Sequence, residues 1–212
     1  GPDLDPFLFL RWAQEIAENG SLAVIDSMRY VPLGYNTAGE AQLLSYLMVW
    51  FYKLLNFLPG FITSMLPGAP TEITVTYAAV LFPAFMFVLT IIAFFFLTKE
   101  IFKDSFKNEI YPSAIGLIGA LFLSVLPAIL PRTIAGIPEK ESAGFFFIFL
   151  AFYFIIKSFK GKNYKPTIIH AILAGISTTA LALIWGGVTF LFMITGGSML
   201  ILFMLGGYDK KK

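Results

Sequence analysis

Cysteine is absent and histidine occurs once, as His170, which removes disulfides, thiolate nucleophiles and zinc–thiolate sites and leaves the redox compartment open. Charge is scarce as well. Only 13% of the residues are charged and 58% are apolar, whereas an ordinary soluble domain is about a quarter charged and under half apolar. Intrinsic disorder needs low hydrophobicity with high net charge, and this chain has a mean hydropathy of +0.79 with a net charge of +2, so disorder is excluded. There is no phosphate-binding glycine loop, no dinucleotide fingerprint, no His-Glu-x-x-His and no serine-hydrolase elbow, so soluble-nucleotide chemistry has no support and no nucleic-acid partner is expected.

What is present is apolar sequence in long runs. Residues 73–97, 114–130, 143–156, 167–184 and 188–205 are each apolar enough for hydrocarbon, and a spanning helix wants about 20 residues, within roughly 17–25. The third run is short, and Ser142 and Lys157 at its edges can lengthen it. No strand alternation or repeat competes, so the sequence predicts an all-α membrane protein. The chain opens Gly1-Pro2-Asp3 and ends in three lysines directly after an apolar run. It therefore reads as a piece of a longer membrane protein.

Charge placement sets the sides. Lys99, Lys103 and Lys107, then Lys157, Lys160, Lys162 and Lys165, then Lys210, Lys211 and Lys212 separate or follow the five runs. If only those five span, all three clusters share one side, which the positive-inside rule makes cytoplasmic. Residues 1–72 then form an external first loop with two helices, near 6–19 and 41–58, and residues 73–212 hold the five spans. The stretch 41–65 contains Lys53 and Asn56 and is broken by Pro59-Gly60. We expect it to lie as an interfacial helix, because a central lysine is costly in lipid while Tyr46, Trp50 and Tyr52 suit a headgroup boundary. The external side is then acidic, with Asp3, Asp5, Glu15, Glu18, Asp26, Glu40, Glu72, Glu139 and Glu141 against fewer bases. Acids on one rim are where a divalent cation would bind.

Asp5 precedes Pro6 and an amphipathic run to Glu18 that stops at Asn19-Gly20, so it reads either as a helix N-cap or as a ligand. Glu139 and Glu141 are two apart in a loop bounded by Pro131 and Pro138. On an extended backbone such side chains point the same way and can share one hard cation, or they simply complement the dipole of the helix that follows. Arg132 can pair with these acids or reach a lipid phosphate. Trp185-Gly186-Gly187 reads as a tight external turn with an aromatic belt residue, and His170 as packing or a local hydrogen bond.

Four strings stand in order: Asp5-Pro6-Phe7-Leu8-Phe9-Leu10-Arg11, Tyr30-Val31-Pro32-Leu33-Gly34, Arg132-Thr133-Ile134-Ala135-Gly136 leading to Glu139-Lys140-Glu141, and Trp185-Gly186-Gly187. Together they resemble the catalytic subunit of oligosaccharyltransferase, closest in flavour to the archaeal AglB type. The resemblance implies a GT-C-type multi-helix bundle with a long external first loop. The activity it implies is transfer of an oligosaccharide from a dolichyl phosphate-type carrier to asparagine in an Asn-x-Ser/Thr acceptor polypeptide. It implies further that Asp5 is catalytic and that Asp5, Glu139 and Glu141 hold a divalent cation, Mn or Mg, with Arg132 touching substrate. The protein would be integral and multi-pass with an external catalytic face, in the cell membrane if archaeal.

The family's second-loop pair is commonly Asp-x-Asp or Asp-x-Glu, where this chain has Glu139-Lys140-Glu141. The family's acceptor-reading domain would lie beyond Lys212, so this piece alone is expected to be inactive. Two other readings stand beside this one. Another GT-C polyprenyl-phosphate-sugar transferase, of O-mannosyltransferase type, would share an acidic first loop. A non-catalytic membrane protein or transporter would use the acids for topology or ion binding, although none of the five runs contains an acid,.

Overall fold

A computed structural model describes residues 4–57 and 73–205. The terminal lysine run, Asp3, Glu72 and the break at Pro59-Gly60 lie outside the described residues. Within them the protein is mostly helical. Helix α1 (Asp5–Asn19) has Pro6 in its first turn and buries Pro6, Phe9, Trp12, Ala13 and Ile16, a spacing of three and four that forms one stripe. It stops at Gly20, whose φ of 83° allows its N–H to reach the Ile16 carbonyl at 2.8 Å, the left-handed cap that glycine adopts without a Cβ clash. The chain then makes a short antiparallel pair, β1 (Ile25–Asp26) with β2 (Tyr35–Asn36), Ile25 facing Asn36 and Asp26 facing Tyr35.

Helix α2 has 15 described residues, Leu43–Phe57. It buries Leu44, Ser45, Met48, Val49 and Phe51 against α1 and the long helix that starts at Val75. Ser45 Oγ donates to the Phe9 carbonyl at 3.1 Å, and the Phe51 ring lies 4.6 Å from that of Phe85. Lys53 and Trp50 stay exposed.

Five helices follow: α3 (Val75–Phe102), α4 (Ile110–Ser124), α5 (Lys140–Lys160), α6 (Tyr164–Ala182) and α7 (Val188–Met204). Two stretches among the described residues, Val75–Ser105 and Lys140–Lys160, are long and apolar enough to cross a membrane; α4 and α7 are apolar but shorter. The helix ends depart from the apolar runs for local reasons. Residues 125–130 leave the helix because Pro127 lacks an N–H and its ring crowds the preceding turn, and the chain closes instead into a 3₁₀ turn at Leu130–Arg132. Ser142 and Lys157 do join α5, which reaches 21 residues.

Helix α5 is central, packed between α3 and α6, and α4 covers the other side of α3. Helices α3 and α5 run parallel. At one end Ala78, Ala79 and Phe82 join Ala143 and the α1–α2 residues in one apolar core. At the other, Lys160 Nζ donates to the Glu100 carbonyl at 2.6 Å and pairs with Asp104 at 2.7 Å. The first two lysine clusters therefore share one end, and α1, α2 and the loop before α5 occupy the opposite one. Helix α7 touches α5 and α6 and buries only Leu191.

Candidate functional site

The end away from the lysines is built from the head of α1, the start of α3 and the loop that leads into α5. Asp5 is the first residue of α1 and is exposed; the cap position belongs to Leu4. The N-cap reading of Asp5 is thus corrected, since Leu4 already takes αR angles and the helix starts one residue earlier than Pro6 alone indicates. Among the described residues the Asp5 carboxylate makes no hydrogen bond. It stands at the positive end of a helix dipole,.

The loop opposite is tied down residue by residue. Thr133 is buried and its hydroxyl donates back to the Ile129 carbonyl at 3.2 Å. The Gly136 N–H donates to the Val80 carbonyl of α3 at 2.8 Å, which docks the loop on that helix. Pro138 and Glu139 are buried. Glu139, 6% exposed, takes a bond of 2.5 Å from Arg132 Nη1, so its charge is met by a guanidinium that itself reaches solvent. Its backbone carbonyl accepts from Ser142 Oγ at 2.6 Å. The ammonium of Lys140 lies over the Phe9 ring of α1 at 5.3 Å and does not neutralise the acids beside it.

Between these walls lies a cleft of about 620 Å³, within the roughly 300–1,000 Å³ of small-molecule sites. Pro6, Phe7 and Leu10 of α1 form one apolar wall, Ala79 and Val80 the floor, and Arg132, Ile137 and Glu139 the other wall. Asp5 directly precedes the lining pair Pro6-Phe7. Of the acids expected to act together, Glu139 lines the opening, Asp5 stands just ahead of the lining residues of α1 on the opposite wall, and Glu141 is not among the lining residues.

They do not meet as a preformed metal cage. Among the described residues no group of three or more His, Cys, Asp or Glu is placed to hold an ion. The extended-backbone argument for the pair is also corrected: α5 begins at Lys140, so Glu139 is extended while Glu141 sits half-buried in the first helical turn. Oxygen donors suit a hard cation, yet the one buried donor, Glu139, is engaged by Arg132.

Two further features frame the site. The Trp185 ring packs over Gly144 of α5, where an added Cβ would come within 2.9 Å of the ring, and stands edge-on to Phe145 at 5.9 Å. The Trp185 ring is half-buried against α5. His170 stacks on Phe154 at 6.2 Å, as packing, while its buried Nδ1 has no hydrogen-bond partner among the described residues.

The sequence gives no sign of the best-satisfied acid on this side. Asp26 is 5% exposed and accepts from Arg11 Nη1 at 3.0 Å, from Arg11 Nη2, from Trp12 Nε1 at 3.1 Å and from the Met28 N–H at 3.1 Å. The hydrogen bonds from Arg11, more than enough to offset burial, hold its carboxyl at about 2, below the usual 3.8,. Asp26 is thereby committed to clamping the β1–β2 pair onto α1. Arg29 extends the clamp: its guanidinium lies 4.1 Å from the Tyr35 ring and pairs with Glu40 at 3.4 Å. Tyr35 donates to the same carboxylate at 3.0 Å, which pushes its hydroxyl pKa up.

The family model described as oligosaccharyl transferase STT3, N-terminal, matches residues 2–212. Among curated proteins, the chain is 26% identical over 196 residues to the dolichyl-phosphooligosaccharide-protein glycotransferase of Methanococcus voltae, covering 86% of this chain and 19% of that protein. It is 25% identical over 215 residues to the STT3 subunit of the dolichyl-diphosphooligosaccharide–protein glycosyltransferase of Saccharomyces cerevisiae, covering 99% of this chain and 26% of the relative. The STT3B subunit of Arabidopsis thaliana matches at 24% identity, again over 99% of this chain and 26% of its own length. The chain thus spans about a fifth to a quarter of the relatives it matches.

Proposed function

The chain belongs to the oligosaccharyl transferase STT3 family, matching its N-terminal model, and from this we propose that it forms the membrane-embedded N-terminal part of an enzyme of protein N-glycosylation. The substrates are a lipid-linked oligosaccharide on a dolichyl phosphate-type carrier and an acceptor polypeptide with an Asn-x-Ser/Thr sequon. The bundle is of GT-C type and multi-pass, with the lysine-rich end in the cytoplasm and the cleft outside. The observation that carries the reading is the cleft itself, because Asp5 heads one wall while Arg132 and Glu139 line the other.

The chemistry asks for carboxylates. An amide nitrogen is a weak nucleophile because its lone pair is delocalised into the carbonyl, and carboxylates accepting from its two N–H groups favour a geometry with less conjugation. Asp5, exposed and without a hydrogen-bond partner among the described residues, is suited to that role. Arg132 pairs with Glu139 and lines the opening, where it can meet a phosphate,. The apolar walls and the volume of the cleft leave room for part of a lipid or a peptide backbone,. Asp5, Glu139 and Glu141 are the residues that would hold Mg²⁺ or Mn²⁺, which as a Lewis acid supplies charge stabilisation at a leaving phosphate oxygen. Because Glu139 is engaged by Arg132, the acids as placed do not fit the ion.

The test is glycopeptide formation by the protein that carries this segment, in membranes supplied with lipid-linked oligosaccharide and an Asn-x-Thr peptide. Asp5→Ala is expected to abolish product while insertion and melting stay unchanged, and this segment alone is expected to give none. Parental activity in Asp5→Ala, or product from the segment alone, would overturn the corresponding proposal.

A further inference from the structure

The lysine-rich end carries a second groove, between α3 and α4. It encloses about 600 Å³ and is walled by Phe95 of α3 and by Ile110, Ala114 and Leu117 of α4, with Ser113 and Glu109 at its polar edge. The α4 residues recur at spacings of three and four and so share one face. On α3, Lys99 stands one turn beyond Phe95 on the same face, toward the helix end, and Lys103 and Lys107 follow in the connection to α4. Lys103 and Lys107 are exposed. Among the described residues none of these three lysines forms an ion pair, whereas Lys160 is taken up by Asp104 and the Glu100 carbonyl. Ile101, Phe102, Phe106 and Tyr111, at the same end of α3 and α4, are exposed. An apolar groove beside the helix end that carries three lysines without an ion pair, with exposed apolar side chains at the same end, has the polarity of a lipid at a membrane surface: chain below, anionic head above.

We propose that this groove seats an acyl chain of an anionic phospholipid whose phosphate is met by Lys99, Lys103 and Lys107. The inference rests on the membrane reading of the chain and is separate from the external cleft. Charge complementarity selects an anionic head over a zwitterionic one, since the local acids are Asp104, spent on Lys160, Glu100, and Glu109, which sits at the groove mouth and opposes the phosphate. Basic residues at a membrane surface each strengthen anionic-lipid attraction several-fold, so loss of three weakens binding roughly tenfold to a hundredfold. Glu109 acts in the other direction, and its neutralisation strengthens binding.

The experiment uses the protein in uncharged detergent, with lipid binding read by native mass spectrometry and by the melting midpoint. The probes are phosphatidylglycerol, phosphatidylcholine with the same chains, and glycerol phosphate. Phosphatidylglycerol is expected to bind and raise the midpoint, phosphatidylcholine to do so at least tenfold more weakly, and glycerol phosphate not at all. The triple change Lys99→Gln, Lys103→Gln, Lys107→Gln is expected to lose the preference, Ala114→Phe to block the groove, and Glu109→Gln to tighten binding. Equal binding of the two lipids, binding of glycerol phosphate as strong as that of the lipid, or a triple variant that binds like the parent would overturn the site. Should the triple variant fail to fold, Glu109→Gln decides alone: with parental melting and no gain in binding, the proposal fails. A chain that resists carbonate extraction yet shows no lipid preference overturns only this site, whereas a chain recovered without detergent in the soluble fraction overturns the membrane reading with it.

Discussion

Removing the Asp26 charge is the most informative perturbation outside the cleft. Asp26→Asn keeps the size of the side chain and an acceptor for the Met28 N–H, but it leaves the Arg11 guanidinium without its anion and weakens the bond from Trp12. A carboxyl whose pKa falls from 3.8 to about 2 on folding contributes about 2 kcal/mol at neutral pH. The sign follows from the direction of the shift. The folded pKa lies below the unfolded one, so this contribution is complete above 3.8 and is lost as pH falls from there toward 2. Melting is followed by the fluorescence of Trp12 and the other two tryptophans in uncharged detergent between pH 7 and pH 2. The parent is expected to exceed Asp26→Asn by about 2 kcal/mol at pH 7, and the gap is expected to close as the pH approaches 2. Other carboxylates titrate in the same window, but they do so in both proteins and cancel in the difference. A constant gap across the range, or no gap at pH 7, would refute the claim that the clamp is electrostatic.

Trp12→Phe keeps the ring but removes the indole donor to Asp26; a loss of about 1 kcal/mol is expected in the same melts, and no loss would mean the bond is idle. Gly144→Val brings side-chain atoms into the Trp185 ring and is expected to cost about 1–3 kcal/mol through overpacking, read as a lower melting midpoint, with parental stability as the contrary result. Glu139→Gln removes the acid partner of Arg132 and is expected to abolish glycopeptide formation at a cost of about 1–3 kcal/mol. Asp5→Ala touches no hydrogen bond among the described residues and is expected to change stability by under about 0.5 kcal/mol, so a large destabilisation there would reassign Asp5 to structure.

Local signals made much of this molecule readable in advance. Pro6, the apolar stripe from Phe9 to Ile16 and the Asn19-Gly20 stop describe α1 from its own residues, because caps and periodicity act within a few positions. Lysine spacing likewise foretold that Lys99 and Lys103 would share an end with Lys157 and Lys160, which the Lys160–Asp104 pair now joins. What could not be read depends on contacts made at a distance. Asp26 looked like one rim acid among several, and only the return of β1 along α1 brings Arg11 and Trp12 to it. Glu139 and Glu141 looked like an extended pair, because nothing local places the start of α5 at Lys140. Two-residue strands such as Ile25–Asp26 leave no alternation to detect, and the Trp185 ring reaches Gly144 only after α5 and α6 have packed.

The central claim is that the head of α1 and the loop before α5 face each other across one external opening. Because the chain has no native cysteine, Phe7→Cys with Ile137→Cys, both lining the cleft, can be bridged in intact cells with a short, membrane-impermeant bis-thiol reagent. The account predicts an intramolecular cross-link without permeabilisation and none for either single variant. Failure to cross-link two thiols that both react singly from outside, or reaction only after permeabilisation, would contradict it.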